Sequence, residues 1–324
     1  MISRRGRRLL AALAAIALLA ALLAGLAWRQ LQPERLTPLL LRQASQALGL
    51  ELRVREPAEY RLRPEPRLVL RGLSAHRPGE EAALLSAERA ELSLPWATLR
   101  GQRLEITRVD LLQPQLDLQQ LLAWLEARPA GEAPARLPTL TRGLAVVDAG
   151  VVAPDWRIDA LDIDIPGFRP GQPTRLDASG RLHAAGGRVL PFVVGLDGAA
   201  QWKDDALALA LAALELQVHD GEAGEAATYR LSLAGDAGFG AGQAWLQAPD
   251  ARLHVDLPEA QVSARLGLRP LRITHASGTT TLARAAFTLD GSPAVPAMHG
   301  HVHADVGQAL RLQAQARMPR WPEA

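Results

Sequence analysis

The sequence predicts a mainly β protein. Its core is a long curved antiparallel sheet forming a groove, with an N-terminal transmembrane helix and short accessory helices. Three observations predict it. Of 324 residues 48% are apolar, yet mean hydropathy is zero, so apolar residues are offset by polar neighbours almost everywhere. One block, Leu9 to Ala27, breaks that balance with 19 residues lacking any charge or proline. Beyond residue 128 apolar residues recur at every second position, the period of a half-buried strand.

The N-terminal block is read first. A helix over residues 9–27 spans roughly 28 Å, close to the hydrocarbon thickness of about 30 Å. Arg4, Arg5, Arg7 and Arg8 precede it and Trp28 follows at the expected interface. Basic residues favour the cytoplasmic side, which sends residues 28–324 across the membrane. The competing reading is a cleaved signal peptide, with Gly25 and Ala27 at −3 and −1; the apolar stretch exceeds the usual core of such peptides. With no second apolar stretch of that length, the expected topology is single-pass in the inner membrane, N-terminus cytoplasmic and bulk periplasmic.

Composition narrows the partners. There are 36 basic and 34 acidic residues, and four of the basic ones sit in the head. The remainder carries no basic stripe, which argues against nucleic acid. With no cysteine there is no disulfide framework and no thiol nucleophile.

Thr37 to Leu48 reads as a short helix, capped by Thr37 and ended by Gly49. From Glu51 the period falls towards two: Leu52 and Val54, Leu68 and Leu70, then Ala90, Leu92 and Leu94. Leu104 and Ile106 pass to Val109 and Leu111 after a one-residue slip that suggests a bulge near Thr107–Arg108. Leu118 to Ala127 returns to helical spacing. Residues 128–138 are proline-rich and aperiodic, the best internal boundary.

Thereafter alternation dominates. Ile158 passes, after a slip, to Leu161, Ile163 and Ile165. Leu190, Phe192, Val194 and Leu196 share a face. Leu207, Leu209 and Leu211 give way after another slip to Leu214, Leu216 and Val218. The pattern continues to Ala316, punctuated by turn signals such as PGFRPGQP, AAGG and DGSP. So many one-sided strands must close, form a sandwich, or curl round a lipid-like interior. The inward positions are mostly leucine and alanine, which suits an apolar trough at least as well as a dense core.

Residues 37–125 resemble the N-terminal region of the AsmA family of bacterial envelope proteins. The resemblance rests on the basic head and single anchor, a short helix ending in ALGLELRV, then RLRPEPRLVLRGLSA and SAERAELSLPWATLRGQRLEITRVDLLQPQLDL. LAVVDAG, DWRIDALDIDI and TRLDASGRL are similar to the later AsmA sheet, more weakly. The resemblance implies a chorein-like, groove-forming sheet in the periplasm and a role in envelope maintenance. Larger relatives are regarded as phospholipid bridges; a groove of about 65–70 Å is expected here instead to serve as a shorter chute, a lipid acceptor at the inner membrane, or one segment of an assembly. The expected organisation is a head and anchor at 1–28, an AsmA-like region at 29–127, a linker or loop at 128–140, and a meander continuing the sheet at 141–324.

Chemistry-bearing clusters are few. His299, His301 and His303 alternate on one strand face and are weak candidates for zinc or copper, but a solvated face accounts for them. Asp162 and Asp164 fit the wet side of an amphipathic strand. There is no GxSxG elbow, P-loop or HExxH site. The expectation is therefore a non-enzymatic protein without cofactor, with inner-membrane lipids and other envelope proteins as partners. The groove candidates are Leu104, Ile106, Val109, Leu111, Ile158, Leu161, Ile163, Phe192, Val194, Leu209 and Leu216. Two rival readings stand beside it: a structural component of a secretion machine, like the N component of type II secretion, and an assembly factor for outer-membrane proteins.

Overall fold

The computed structural model describes residues 45, 49–61, 65–95, 106–126, 139–184, 186–203, 206–221, 227–240, 243–258, 261–276, 279–291, 297–306 and 310–317. The expected head and anchor, Trp28, the 37–48 helix apart from Ser45, Leu104 and the 128–138 segment lie outside them. Among the described residues no helix is long and apolar enough to cross a membrane.

The first part holds β1 (Glu51–Val54), β2 (Glu59–Arg61), β3 (Arg67–His76), β4 (Ala83–Ser93), β5 (Arg108–Leu112) and β6 (Gln115–Asp117), then helix α1 (Leu118–Glu126). The second begins with β7 (Leu144–Val152), β8 (Arg157–Ile165), β9 (Pro173–His183), β10 (Val189–Lys203), β11 (Ala206–Asp220) and β12 (Ala227–Gly240). It ends with β13 (Gln243–Leu257), β14 (Val262–Arg269), β15 (Leu271–Ala276), β16 (Thr279–Gly291), β17 (Met298–Val306) and β18 (Leu310–Arg317). All eighteen belong to one sheet. Three rungs are each shared by two segments: β1 and β2 both pair with β3, β5 and β6 lie between β4 and β7, and β14 and β15 lie between β13 and β16. The eighteen segments thus fill fifteen rungs, roughly 65–70 Å of sheet at about 4.8 Å per rung.

The meander from β7 to β18 is antiparallel throughout, as its alternation and turns predict. The turn before β9 illustrates why: Gln172 N–H donates to the Arg169 carbonyl at 3.0 Å across Pro170 and Gly171. Proline fixes the first corner, and glycine takes the positive φ of +74° at the second. The junction departs from the antiparallel expectation, because β5 and β6 pair with β7 in parallel. A parallel pair cannot be joined by a tight turn, so a crossover containing α1 carries the chain back.

Paired residues lie on the same face of a sheet, so the register can be followed across it. One row runs Leu70, Ala90, Leu111, Val146, Ile163, Ala178, Val194, Leu216, Leu231, Leu253, Leu266, Leu289, Met298. Every member is apolar. A second row, Leu52, Ala75, Leu85, Leu116, Val151, Ile158, Leu182, Leu190, lies on the same face. Helix α1 packs there through Leu121 and Trp124, onto the cluster of Leu50, Ala75 and Leu84. Asp117 caps that helix, its Oδ1 accepting the Gln120 N–H at 3.0 Å, worth about 1 kcal/mol.

Bulges keep the phase. The register slips between Asp159 and Asp162 in β8, Leu211 and Leu214 in β11, and Leu282 and Ala285 in β16. Each slip returns leucine, isoleucine or alanine to the apolar face. Two of them are the slips read from the sequence after Ile158 and Leu211. The third expected slip, at Thr107, falls between the isolated bridge of Ile106 with Leu140 and the start of β5. The most buried residues of the meander, at most 6% exposed, are Ala149, Leu211, Leu233, Ala248, Ala251, Leu271 and Ala285.

Gly143 seats the junction. Its φ is +81°, and an added Cβ would overlap the Ile165 carbonyl oxygen. Its own carbonyl accepts the Val109 N–H at 3.1 Å. Gly143→Ala is expected to lower unfolding free energy by at least about 2 kcal/mol, from backbone strain plus the displaced β8 end. Chemical denaturation of the purified protein measures it; an unchanged midpoint would contradict this packing.

Candidate functional site

Nine of the eleven groove candidates fall on one face. Leu111, Ile163, Val194 and Leu216 are members of the first row, and Ile158 of the second. Val109 pairs with Leu144 and Leu92, Leu161 with Ala149, Phe192 with Val218, and Leu209 with Ala200, all on that same face. Ile106 forms the bridge to Leu140, and Leu104 is outside the described residues.

Most of these side chains are half-buried. The neighbours packed on Leu211 and Leu233, among them Leu196, Leu209, Leu231 and Leu246, come from the same face of the same sheet. Among the described residues only α1 is layered on this face, at its N-terminal end.

The opposite face is charged. Arg175 pairs with Asp177 at 2.8 Å and Arg181 with Asp159 at 2.8 Å. Asp250 takes two guanidinium groups, Arg269 and Arg252, each at 2.8 Å. The Arg269 hydrogen bond, helped by Arg252, holds the Asp250 carboxyl below its ordinary value against a smaller opposing effect of desolvation. At Asp159 partial desolvation works the other way, but hydrogen bonds from Arg181 and His183 outweigh it and lower its pKa.

Two depressions open on this charged side. One, of about 600 Å³, lies over β1, β3 and β4 around Gly72, bordered by Arg53, Arg55, Arg71 and Arg89. The other, of about 820 Å³, crosses β9 to β16 and is bordered by Arg175, Arg230, Arg252, Arg265 and Arg269. Sequence reading missed both. Their residues are scattered over several strands, and only the register brings them together.

His299, His301 and His303 do share a face, opposite the apolar one. His303 Nδ1 meets the Leu282 carbonyl oxygen at 2.7 Å and Nε2 lies 3.2 Å from Asp305, so both its nitrogens are engaged. Among the described residues no three histidines or carboxylates converge as a metal site. Asp162 accepts the Asp148 N–H at 2.9 Å, a structural use that braces the β7 and β8 bulges. Trp124 joins the α1 contact, while Trp245 covers Gly238 on the charged side.

The AsmA family model matches residues 2–123, from the basic head into α1. No curated protein and no solved structure matches the chain.

Asp250→Asn is expected to destabilise the protein modestly at neutral pH, by less than about 1 kcal/mol because the ion pairs are solvent-facing. A depressed folded-state pKa gives stability that is complete above the unfolded value and disappears as pH falls through the folded one. The gap between wild type and variant in thermal unfolding should therefore close below about pH 4. A gap independent of pH would show that the carboxylate charge is not what acts.

Proposed function

From the match of residues 2–123 to the AsmA family model, we propose that the protein is a non-enzymatic, inner-membrane-anchored envelope protein of AsmA type. Its apolar face shields phospholipid acyl chains and helps them move along the sheet. The likeness to the AsmA family supports an envelope role. The observation that carries the lipid reading is the unbroken apolar row from Leu70 to Met298.

The physical argument is one of matching. An acyl chain needs a continuous apolar strip with no hydrogen-bonding demand, and a pleated sheet offers one along its hydrogen-bonding direction. Each contact removes apolar area from water at about 25 cal/mol per Å². Bulges bend strands, and the buried residues along them support a face that curves round its occupant. Small residues such as Ala178 and Ala90 leave room where leucine alone would fill it. Acyl chains would lie along the apolar face, with both depressions on the charged side of the sheet. The described sheet, roughly 65–70 Å long, has room for a chute, an acceptor at the inner membrane, or one segment of an assembly.

Native mass spectrometry of the full-length protein, released from a detergent with no phospholipid content, tests the reading. Wild type is expected to retain phospholipid. Val194→Glu, placing a charge in mid-row, should reduce the retained lipid several-fold. Val147→Glu, at a site 48% exposed on the opposite face, should leave it unchanged and controls for charge and folding. Wild type without lipid would overturn the proposal, and co-purifying secretion components would then favour the structural role.

A further inference from the structure

We propose that the larger depression on the charged face is a binding site for a phosphate ester bearing a neighbouring ammonium or hydroxyl group. The sheet separates it from the apolar face, so it stands independently of the lipid-shielding role.

Its ion pairing is uneven. Within the depression Arg175 is neutralised by Asp177, and Arg252 and Arg269 by Asp250. Arg230 and Arg265 also border it, yet neither has an ion pair or hydrogen bond among the described residues. The register sets them on either side of His254 in one row, with about 10 Å between their strands. Two guanidinium forks at that separation can turn inward onto one tetrahedral oxyanion, the geometry that favours arginine for phosphate. Between them, His254 Nδ1 is shielded from solvent and has no hydrogen-bond partner.

Two carboxylates border the same space without an ion pair among the described residues. Asp290 is in register with Arg265, and Glu215 lies on β11 next to the row of Arg230. A bare anion would meet them at a cost; a ligand whose phosphate is flanked by an ammonium or hydroxyl donor satisfies both signs. The adjacent row supplies a low floor, with Gly195, Ser232 and Gly267 alternating with longer side chains. The volume, about 820 Å³, lies in the range of small-molecule sites.

The test is calorimetric titration of the full-length protein, in a detergent without phosphate, with O-phosphoethanolamine, inorganic phosphate and ethanolamine in turn. Phosphoethanolamine is expected to bind more tightly than either fragment. The double variant Arg230→Ala/Arg265→Ala should weaken it by roughly tenfold or more, the loss of charge-assisted hydrogen bonds. Glu215→Gln/Asp290→Asn should erase its advantage over inorganic phosphate, and Arg188→Ala, outside the depression, should leave binding intact. Displacement by vesicles containing phosphatidylethanolamine assigns the site to a lipid headgroup, and no displacement assigns it to a free ester; either supports the site. Absence of binding by wild type, or equal binding by the double arginine variant, overturns it. Lipid retained on the apolar face is read separately by mass spectrometry, so failure here leaves that proposal standing.

Discussion

The structure depends on phase. Side chains of a strand alternate with a period of two, and a slip of one residue sends its whole apolar set to the wrong side. In a sheet of fifteen rungs such an error at any strand would put leucines among arginines. Backbone pairing alone does not prevent it, because the ladder is indifferent to which side chain faces which way. Register is held by side-chain burial on one side and by cross-strand ion pairs such as Arg181–Asp159 and Arg269–Asp250 on the other.

Bulges are how a twisted sheet keeps that phase over long strands. An extra residue bends the strand and increases its local twist, and the sequence must then resume alternation one step displaced. It does so at Leu211 and Leu214, and again at Leu282 and Ala285. At the β7–β8 pair the bulges are braced by polar atoms: Asp162 accepts the Asp148 amide, and Gln113 donates to the Asp148 carboxylate at 2.9 Å. Asp148 itself adopts a φ of +54°, a conformation aspartate tolerates better than bulky residues.

Much of this was legible in the residues. The faces of β8, β10 and β11 follow directly from the apolar spacing, including their interruptions, since burial on one side leaves a period-two trace. Helix α1 shows through its leucine spacing from Leu118 onward. Other features left no local trace. The parallel junction depends on where the chain goes after α1, and no residue pattern near Leu144 announces a direction. In β16 the slip hides in an alanine-rich run, where both phases look alike. The charged depressions were invisible for a related reason: Arg230, His254 and Arg265 belong to three strands, and only pairing makes them neighbours.

The parallel junction also divides how the chain acquires its structure. From β7 to β18 each rung pairs with segments close in sequence, so order can spread rung by rung as in a repeat array, with stability close to a sum of nearest-neighbour terms. The junction is different. Val109 meets Leu144 only after the intervening chain has closed a loop, an entropic cost met before any contact rewards it. The meander can therefore zip quickly, while its union with the first six strands sets the pace at which one continuous sheet appears.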